Sequence, residues 1–247
     1  MRIPLTKYGL PEVVLYPLVM LVVAIVYPII AVKCFPDWAR GTAWALVTFW
    51  LVELLLVALL LWAVSFFRDP RRECPYDKNL LLSPADGKVT DIEVVDSDII
   101  GGKAMKIGIF LSVFNVHINR APCNVKVEKI TYKKGKYLNA LNPESGRQNE
   151  SNNLELVRTD DPKDRLVVRQ ISGAIARRIV CATDEGSELA GGEKFGMIKF
   201  GSRTELYLPA EGSAKCVASI GDKVKAGLTP LVRYEGGSEP VTAGRDR

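Results

Sequence analysis

Two long stretches near the start of the chain leave little choice about what they can become. Val13 to Val32, "VVLYPLVMLVVAIVYPIIAV", runs without a charge, and from Gly41 to Phe67 the only ionisable group is Glu53. As a helix, a run of about 20 apolar residues has the length of a bilayer's hydrocarbon core. A secretion signal also begins with an apolar run. This one is too long, shows no small-residue cleavage site and is followed by a second. The connection, "KCFPDWAR", is polar, with Pro36 and a Trp38 suited to an interface. Residues 1–67 therefore read as an α-helical transmembrane hairpin that anchors the chain. Arg2 and Lys7 before it and Arg68, Arg71 and Arg72 after it outweigh Lys33 and Arg40 in the turn, which favours the cytoplasmic side for both ends. Glu53 is either a functional intramembrane acid or a group buried in the helix pair.

After "FFRDPRRE" the pattern changes to short alternating runs separated by Gly, Pro, Asn and Asp turns. "DGKVTDIEVV", "AMKIGIFLSV", "VKVEKITY", "DRLVVRQIS", "ARRIVCAT" and "GMIKFGSRTELYL" have the period of half-buried strands. "SPADGKV" and "SIGDKVKAG" both set a Gly/Asp turn before a Val-bearing strand. The expected fold is mainly β, hairpin-rich and barrel-like, related to the barrel-sandwich hybrids of lipoyl and biotinyl carriers. This domain spans residues 68–235, and residues 236–247 read as a flexible tail. "LNPESGRQNESNN", residues 141–153, has almost no apolar content and reads as a loop, either a disordered excursion or a substrate loop.

Motif and charge readings exclude several functions. The five cysteines are odd in number and lack CxxC spacing, so no disulfide framework or zinc site is indicated. No GxSxG elbow, P-loop, HExxH or dinucleotide turn occurs, and no nucleic-acid-binding motif. The net charge of +5 is mild. The basic stretches Lys133–Lys136 and Arg177-Arg178 are solvated faces or, beside a membrane anchor, contacts for an anionic lipid surface. His117 is the only histidine and carries the one side chain whose ordinary pKa suits proton transfer near neutrality. Asp86, after Pro84, has the setting of a turn residue. Gly201-Ser202 interrupts an otherwise continuous strand pattern, which marks either a bulge or corner or a peptide bond that itself reacts.

"FFRDP", "SPADGKV", "FLSVFNVHINRAP", "ARRIVC" and "GEKFGMIKFGSRTELYLP" follow one another in an order and spacing that resemble the short form of the phosphatidylserine decarboxylase family, over roughly residues 65 to 235. The resemblance implies a self-processing proenzyme. Ser202 Oγ would attack the Gly201 carbonyl, the resulting ester would eliminate, and the dehydroalanine left at position 202 would lose ammonia to give a covalent pyruvoyl group. No pyridoxal phosphate and no metal is then needed. Chains 1–201 and 202–247 would stay associated. By the same resemblance Ser202, His117 and Asp86 form the catalytic constellation, with His117 the base and Asp86 its orienter. Relatives with two histidines three apart have the second where this chain has Arg120. Asn149, Glu150 and Asn152 match a polar headgroup segment, with Ser151 in place of an arginine, and together with Arg120 they are the substrate-binding candidates. The implied substrate is a membrane serine phospholipid, and a homo-oligomer is compatible with this. A non-enzymatic carrier-like domain with an intact Gly201-Ser202 bond is one alternative. A pyruvoyl decarboxylase for a soluble amino acid is another, which the hairpin argues against.

Overall fold

The computed structural model describes residues 5–34, 43–75, 77–140, 142, 144–174, 178–199 and 201–235. Most of the hairpin connection, Arg177 and the expected tail lie outside them. The chain separates into two compact units, Met1–Pro70 and Arg71–Arg247.

In the first unit a 3₁₀ turn (Lys7–Gly9) precedes two helices, α1 (Glu12–Cys34) and α2 (Ala43–Phe66). Both are long and apolar enough to cross a membrane, with mean hydropathy of 2.7 and 2.4. Their buried positions are mostly small, Ala24, Ala31, Ala45 and Ala63, whereas Leu, Val and Trp side chains point outward, Trp44 being 81% exposed. Small residues let helix backbones approach where the surroundings are as apolar as the side chains. Tyr27 stacks on Phe49 with ring centroids 5.5 Å apart, joining the two helices. Glu53 Oε2 is buried without a hydrogen-bond partner among the described residues.

The second unit is almost wholly β. Its strands are β1 (Leu80–Leu82), β2 (Gly87–Ser97), β3 (Gly102–Leu111), β4 (Ile118–Arg120), β5 (Val125–Lys133), β6 (Ser151–Arg158), β7 (Arg165–Ser172), β8 (Ile179–Cys181), β9 (Glu188–Leu189), β10 (Lys194–Ile198), β11 (Ser202–Pro209), β12 (Ala214–Cys216), β13 (Lys223–Val224) and β14 (Pro230–Tyr234). One helical turn, α3 (Ser145–Gln148), lies between β5 and β6. Eight strands form a curled antiparallel sheet in the order β13-β2-β3-β11-β7-β6-β5-β9, and two three-stranded sheets run β4-β10-β8 and β1-β14-β12. Alternation decides the faces. In β11, Leu206 and Leu208 enter a core shared with Val89, Ile107, Ile109, Leu154, Val168 and Phe195, and the residues between them take the other face.

Two expectations change. The run from Gly196 to Leu208 is not one strand, because β10 and β11 belong to different sheets. Between them Gly201 adopts φ +67°, a left-handed conformation that glycine enters without the penalty a Cβ imposes. The interruption is a corner at which the chain changes sheets. The expected polar loop 141–153 contains α3 and the first residues of β6, and Asn149, Glu150, Ser151 and Asn152 are all buried. Polar composition there reflects internal hydrogen bonding.

Leu206 is fully buried in a central strand, so Leu206→Ala should cost about 2–5 kcal/mol. The check is thermal unfolding in detergent, with a midpoint several degrees below that of the parent chain.

Candidate active site

The antiparallel registers gather several loops at one end of the eight-stranded sheet. Ser202, the first residue of β11, is paired with Leu111 at the end of β3 and with Ser172 at the end of β7. Ser151 at the start of β6 faces Lys133 at the end of β5 and Ile171 in β7. The described residues of segments 112–117 and 134–150, together with Gly173, therefore meet around the Gly201-Ser202 bond.

Ser202 is completely buried, and its Oγ has no hydrogen-bond partner among the described residues; the same holds for Ser172 Oγ. A buried hydroxyl without a partner forgoes a bond worth roughly 1–3 kcal/mol in desolvation cost, which marks the position as more than packing. Gly173 presses against the same bond, since a Cβ there would collide with the Gly201 carbonyl oxygen. Any larger residue at position 173 would displace that carbonyl.

His117 is also fully buried. The Gly201 N–H donates to its Nε2 at 3.3 Å, and its Nδ1 lies 3.0 Å from the Asn115 carbonyl oxygen. An amide N–H can only donate, so Nε2 carries the lone pair and the proton sits on Nδ1, where a carbonyl receives it. Asn115 is itself fixed: its Oδ1 accepts from the Ser112 N–H at 2.8 Å and from Ser112 Oγ at 2.9 Å. The ring is thus oriented with its Nε2 electron pair accepting from the Gly201 amide.

Asp86 stands elsewhere in the hydrogen-bond pattern. Its two oxygens accept from Arg72 Nη1 and Nη2 at 2.6 and 2.8 Å, and Oδ1 also accepts from the Ala226 N–H at 2.8 Å. Among the described residues no hydrogen bond joins Asp86 to His117. The expected orienting contact is made instead by the Asn115 carbonyl, because Asp86 is already committed to a fork-shaped guanidinium. Arg120 is buried beside the Gly192 turn and donates to the Gly192 carbonyl at 2.9 Å. The Asn149 amide is engaged at both ends, by Leu138 N–H, Leu138 O and Ser172 O. Asn152 donates to Gln170, Gln170 to Asn119, and Asn119 to Thr204 Oγ1 at 3.1, 2.9 and 3.1 Å. Glu150 Oε1 accepts from the Tyr132 hydroxyl at 2.7 Å, and its buried Oε2 has no hydrogen-bond partner among the described residues. Sequence reasoning did not find Arg72, Asn115, Gly173 or this chain of amides. The turn composition of "SVFN" is the one local signal that pointed at Asn115.

On the opposite face of β11, Arg203 donates through Nη2 to both oxygens of Asp91 at 2.5 and 2.7 Å, and through Nε to Glu205 at 2.8 Å. Tyr207 OH donates to the other Glu205 oxygen at 2.6 Å. Burial opposes ionisation of Asp91, yet the bonds to Arg203 and Thr90 outweigh it and hold the carboxyl below its ordinary value. The residue after Ser202 is thereby clamped to β2.

Two comparisons with known proteins bear on this chain. The family model described as phosphatidylserine decarboxylase matches residues 59–231. A phosphatidylserine decarboxylase proenzyme of Rhodopirellula baltica is 42% identical over 235 residues, covering 95% of this chain and 90% of the relative. Proenzymes of the same name from Carboxydothermus hydrogenoformans and Syntrophus aciditrophicus are each 45% identical, covering 78% and 74% of this chain and 88% and 84% of theirs.

Because the Asp91 pKa is lowered from 3.8 in the fold, its contribution to stability is complete above that value and is lost as pH falls through the folded pKa. As pH falls below about 4 the parent chain should lose more unfolding temperature than Asp91→Asn. Parallel curves would remove Asp91 from the acid response.

Proposed function

Since the chain belongs to the phosphatidylserine decarboxylase family, we propose that it converts phosphatidylserine to phosphatidylethanolamine with a pyruvoyl group made from its own Ser202. The observation that carries this reading is the buried Ser202 hydroxyl, unpartnered among the described residues, directly after a left-handed glycine whose amide faces the His117 lone pair. Family membership makes the chain a decarboxylase, which sets the carrier-like reading aside.

In processing, His117 Nε2 exchanges its bond to the Gly201 amide for the Ser202 hydroxyl proton, and Ser202 Oγ adds to the Gly201 carbonyl carbon. The C–N bond of the peptide then breaks as the His117 imidazolium returns that proton to the leaving nitrogen, giving an ester to Oγ and a free amine on residue 202. Loss of the α-proton of residue 202 breaks the Cβ–O bond, so the Gly201 carboxylate departs and dehydroalanine remains. Its imine tautomer takes up water and releases ammonia. The residues fit the group: position 202 is buried at a sheet end, held by β3 and β7, with one base beside it. A pyruvoyl ketone supplies the electron sink into which a carboxylate's bonding pair moves as carbon dioxide leaves. His117 is then the proton donor to the former α-carbon. Asp86, paired with Arg72, serves the constellation through its own position beside the Ala226 amide, and Glu150 with its second oxygen is the headgroup contact favoured among Asn149, Glu150, Asn152 and Arg120. The anchor over residues 1–67 spans the bilayer with both ends cytoplasmic, and the decarboxylase domain over residues 68–235 works on lipid at that surface.

Ser202→Ala should abolish both self-cleavage and decarboxylation, because no oxygen remains for the acyl shift. Two fragments on a denaturing gel would refute the scheme.

His117→Ala should slow self-cleavage by about 10² to 10⁴, while Asp86→Asn slows it less, with the fold retained in each case. Mass spectrometry of the intact chain over time reads both rates, and unchanged kinetics in either variant assigns that residue to structure alone.

A further inference from the structure

The end of the eight-stranded sheet that begins at Ser202 carries a second feature besides the buried chemistry. Phe114, in the segment that leads from β3 to His117, is 71% exposed, although its neighbour Val113 is close enough that a Cβ added to Gly201 would lie 3.7 Å from Val113 Cγ1. Across the same sheet end, β5 runs out at Lys133 into Lys134, Lys136 and Tyr137, all exposed. The Lys136 N–H and the Glu150 N–H bond reciprocally to the Gln148 and Lys136 carbonyls, and the Ser172 N–H bonds to the Glu150 carbonyl. That chain of backbone bonds fixes the basic segment to the strand end opposite Ser202. Arg178 is exposed beyond β7, and its carbonyl accepts from the Lys199 N–H at 3.2 Å beside the corner. Exposed aromatic side chains, Phe114 the most exposed of them, and several cations thus share a rim around a buried hydroxyl.

We propose that this rim is a bilayer-docking surface: Phe114 enters the boundary between headgroups and acyl chains, and Lys133, Lys134, Lys136 and Arg178 meet anionic headgroups. Charge complementarity selects this occupant, because a negatively charged leaflet attracts each cation near its surface. An exposed aromatic at the same sheet end supplies the apolar half of interfacial binding. The surface stands on exposure and sheet topology, and its use in substrate entry rests on the lipid-decarboxylase reading above. Docking there brings the headgroup of a bilayer lipid to the loops around Ser202, which a tether alone does not do.

The test uses the full-length chain reconstituted in vesicles of phosphatidylserine, phosphatidylglycerol and phosphatidylcholine, and the same chain acting on a short-chain phosphatidylserine dispersed below its micellar concentration. Phe114→Ser should lose roughly tenfold in turnover on vesicles, in line with one withdrawn aromatic side chain, while keeping its turnover on the dispersed lipid and its self-cleavage. Phe114→Leu should recover most of the loss. Joint replacement Lys133→Glu, Lys134→Glu and Lys136→Glu should remove the salt sensitivity of vesicle turnover. Independently of activity, p-benzoylphenylalanine at position 114 should form light-induced adducts with acyl chains, and the same group at position 94, where exposed Val94 pairs with Met105 farther along β3, should form few. Equal adducts at both positions, no loss on vesicles, or equal loss on both substrates would overturn the docking surface. A parent chain that turns over neither lipid would sink the decarboxylase reading instead, and the adducts would still decide the docking.

Discussion

Strand β11 is bonded along its whole length by β3 and along most of it by β7, and the placement of every functional group follows from that double pairing. A central strand cannot slide by one residue without turning its apolar side chains to the wrong face. Leu206 and Leu208 therefore set the register, and the register sets Ser202 at the sheet end. Arg203 strengthens the same constraint from the other face through its fork to Asp91. The peptide bond before Ser202 is left with little freedom, because the Gly173 backbone, the His117 ring and the sheet all abut it.

Much of the interior around this point is polar. Thr204, Asn119, Gln170 and Asn152 form an unbroken chain of side-chain hydrogen bonds within the fold. Burying amides is costly unless each finds a partner, and once satisfied they specify geometry more sharply than apolar contacts do. That network links four elements which the core alone would hold only by shape: β4 through Asn119, β6 and β7 through Asn152 and Gln170, and β11 through Thr204.

The length and charge of the two apolar runs made the helices legible, and period-2 alternation made most long strands legible, because both patterns are consequences of local geometry. β6 was missed since its first residues, Ser151 to Asn153, are polar, and burial of polar residues depends on partners distant in sequence. Gly201 was visible as a discontinuity, but the change of sheets behind it is a tertiary fact. His117 and Ser202 were singled out from motifs, and the fold puts the His117 ring against the amide that precedes Ser202. The pairing of Asp86 with Arg72 and the seating of His117 on Asn115 were not legible, because hydrogen-bond partners compete and only the folded backbone decides which one reaches.

The position of Gly201-Ser202 in the topology also bears on reversibility. Everything from Ser202 onward supplies β11 to the middle of the large sheet and β14 to the middle of a small one, so this piece is interleaved with the rest rather than appended to it. Scission at that bond would leave every strand pairing intact and be almost silent in the native state. It would change the molecularity of folding, since two separate chains would have to meet again after denaturation. An uncut chain can search for its fold alone, whereas a cut one would depend on concentration, and its native state would persist by the slowness of coming apart.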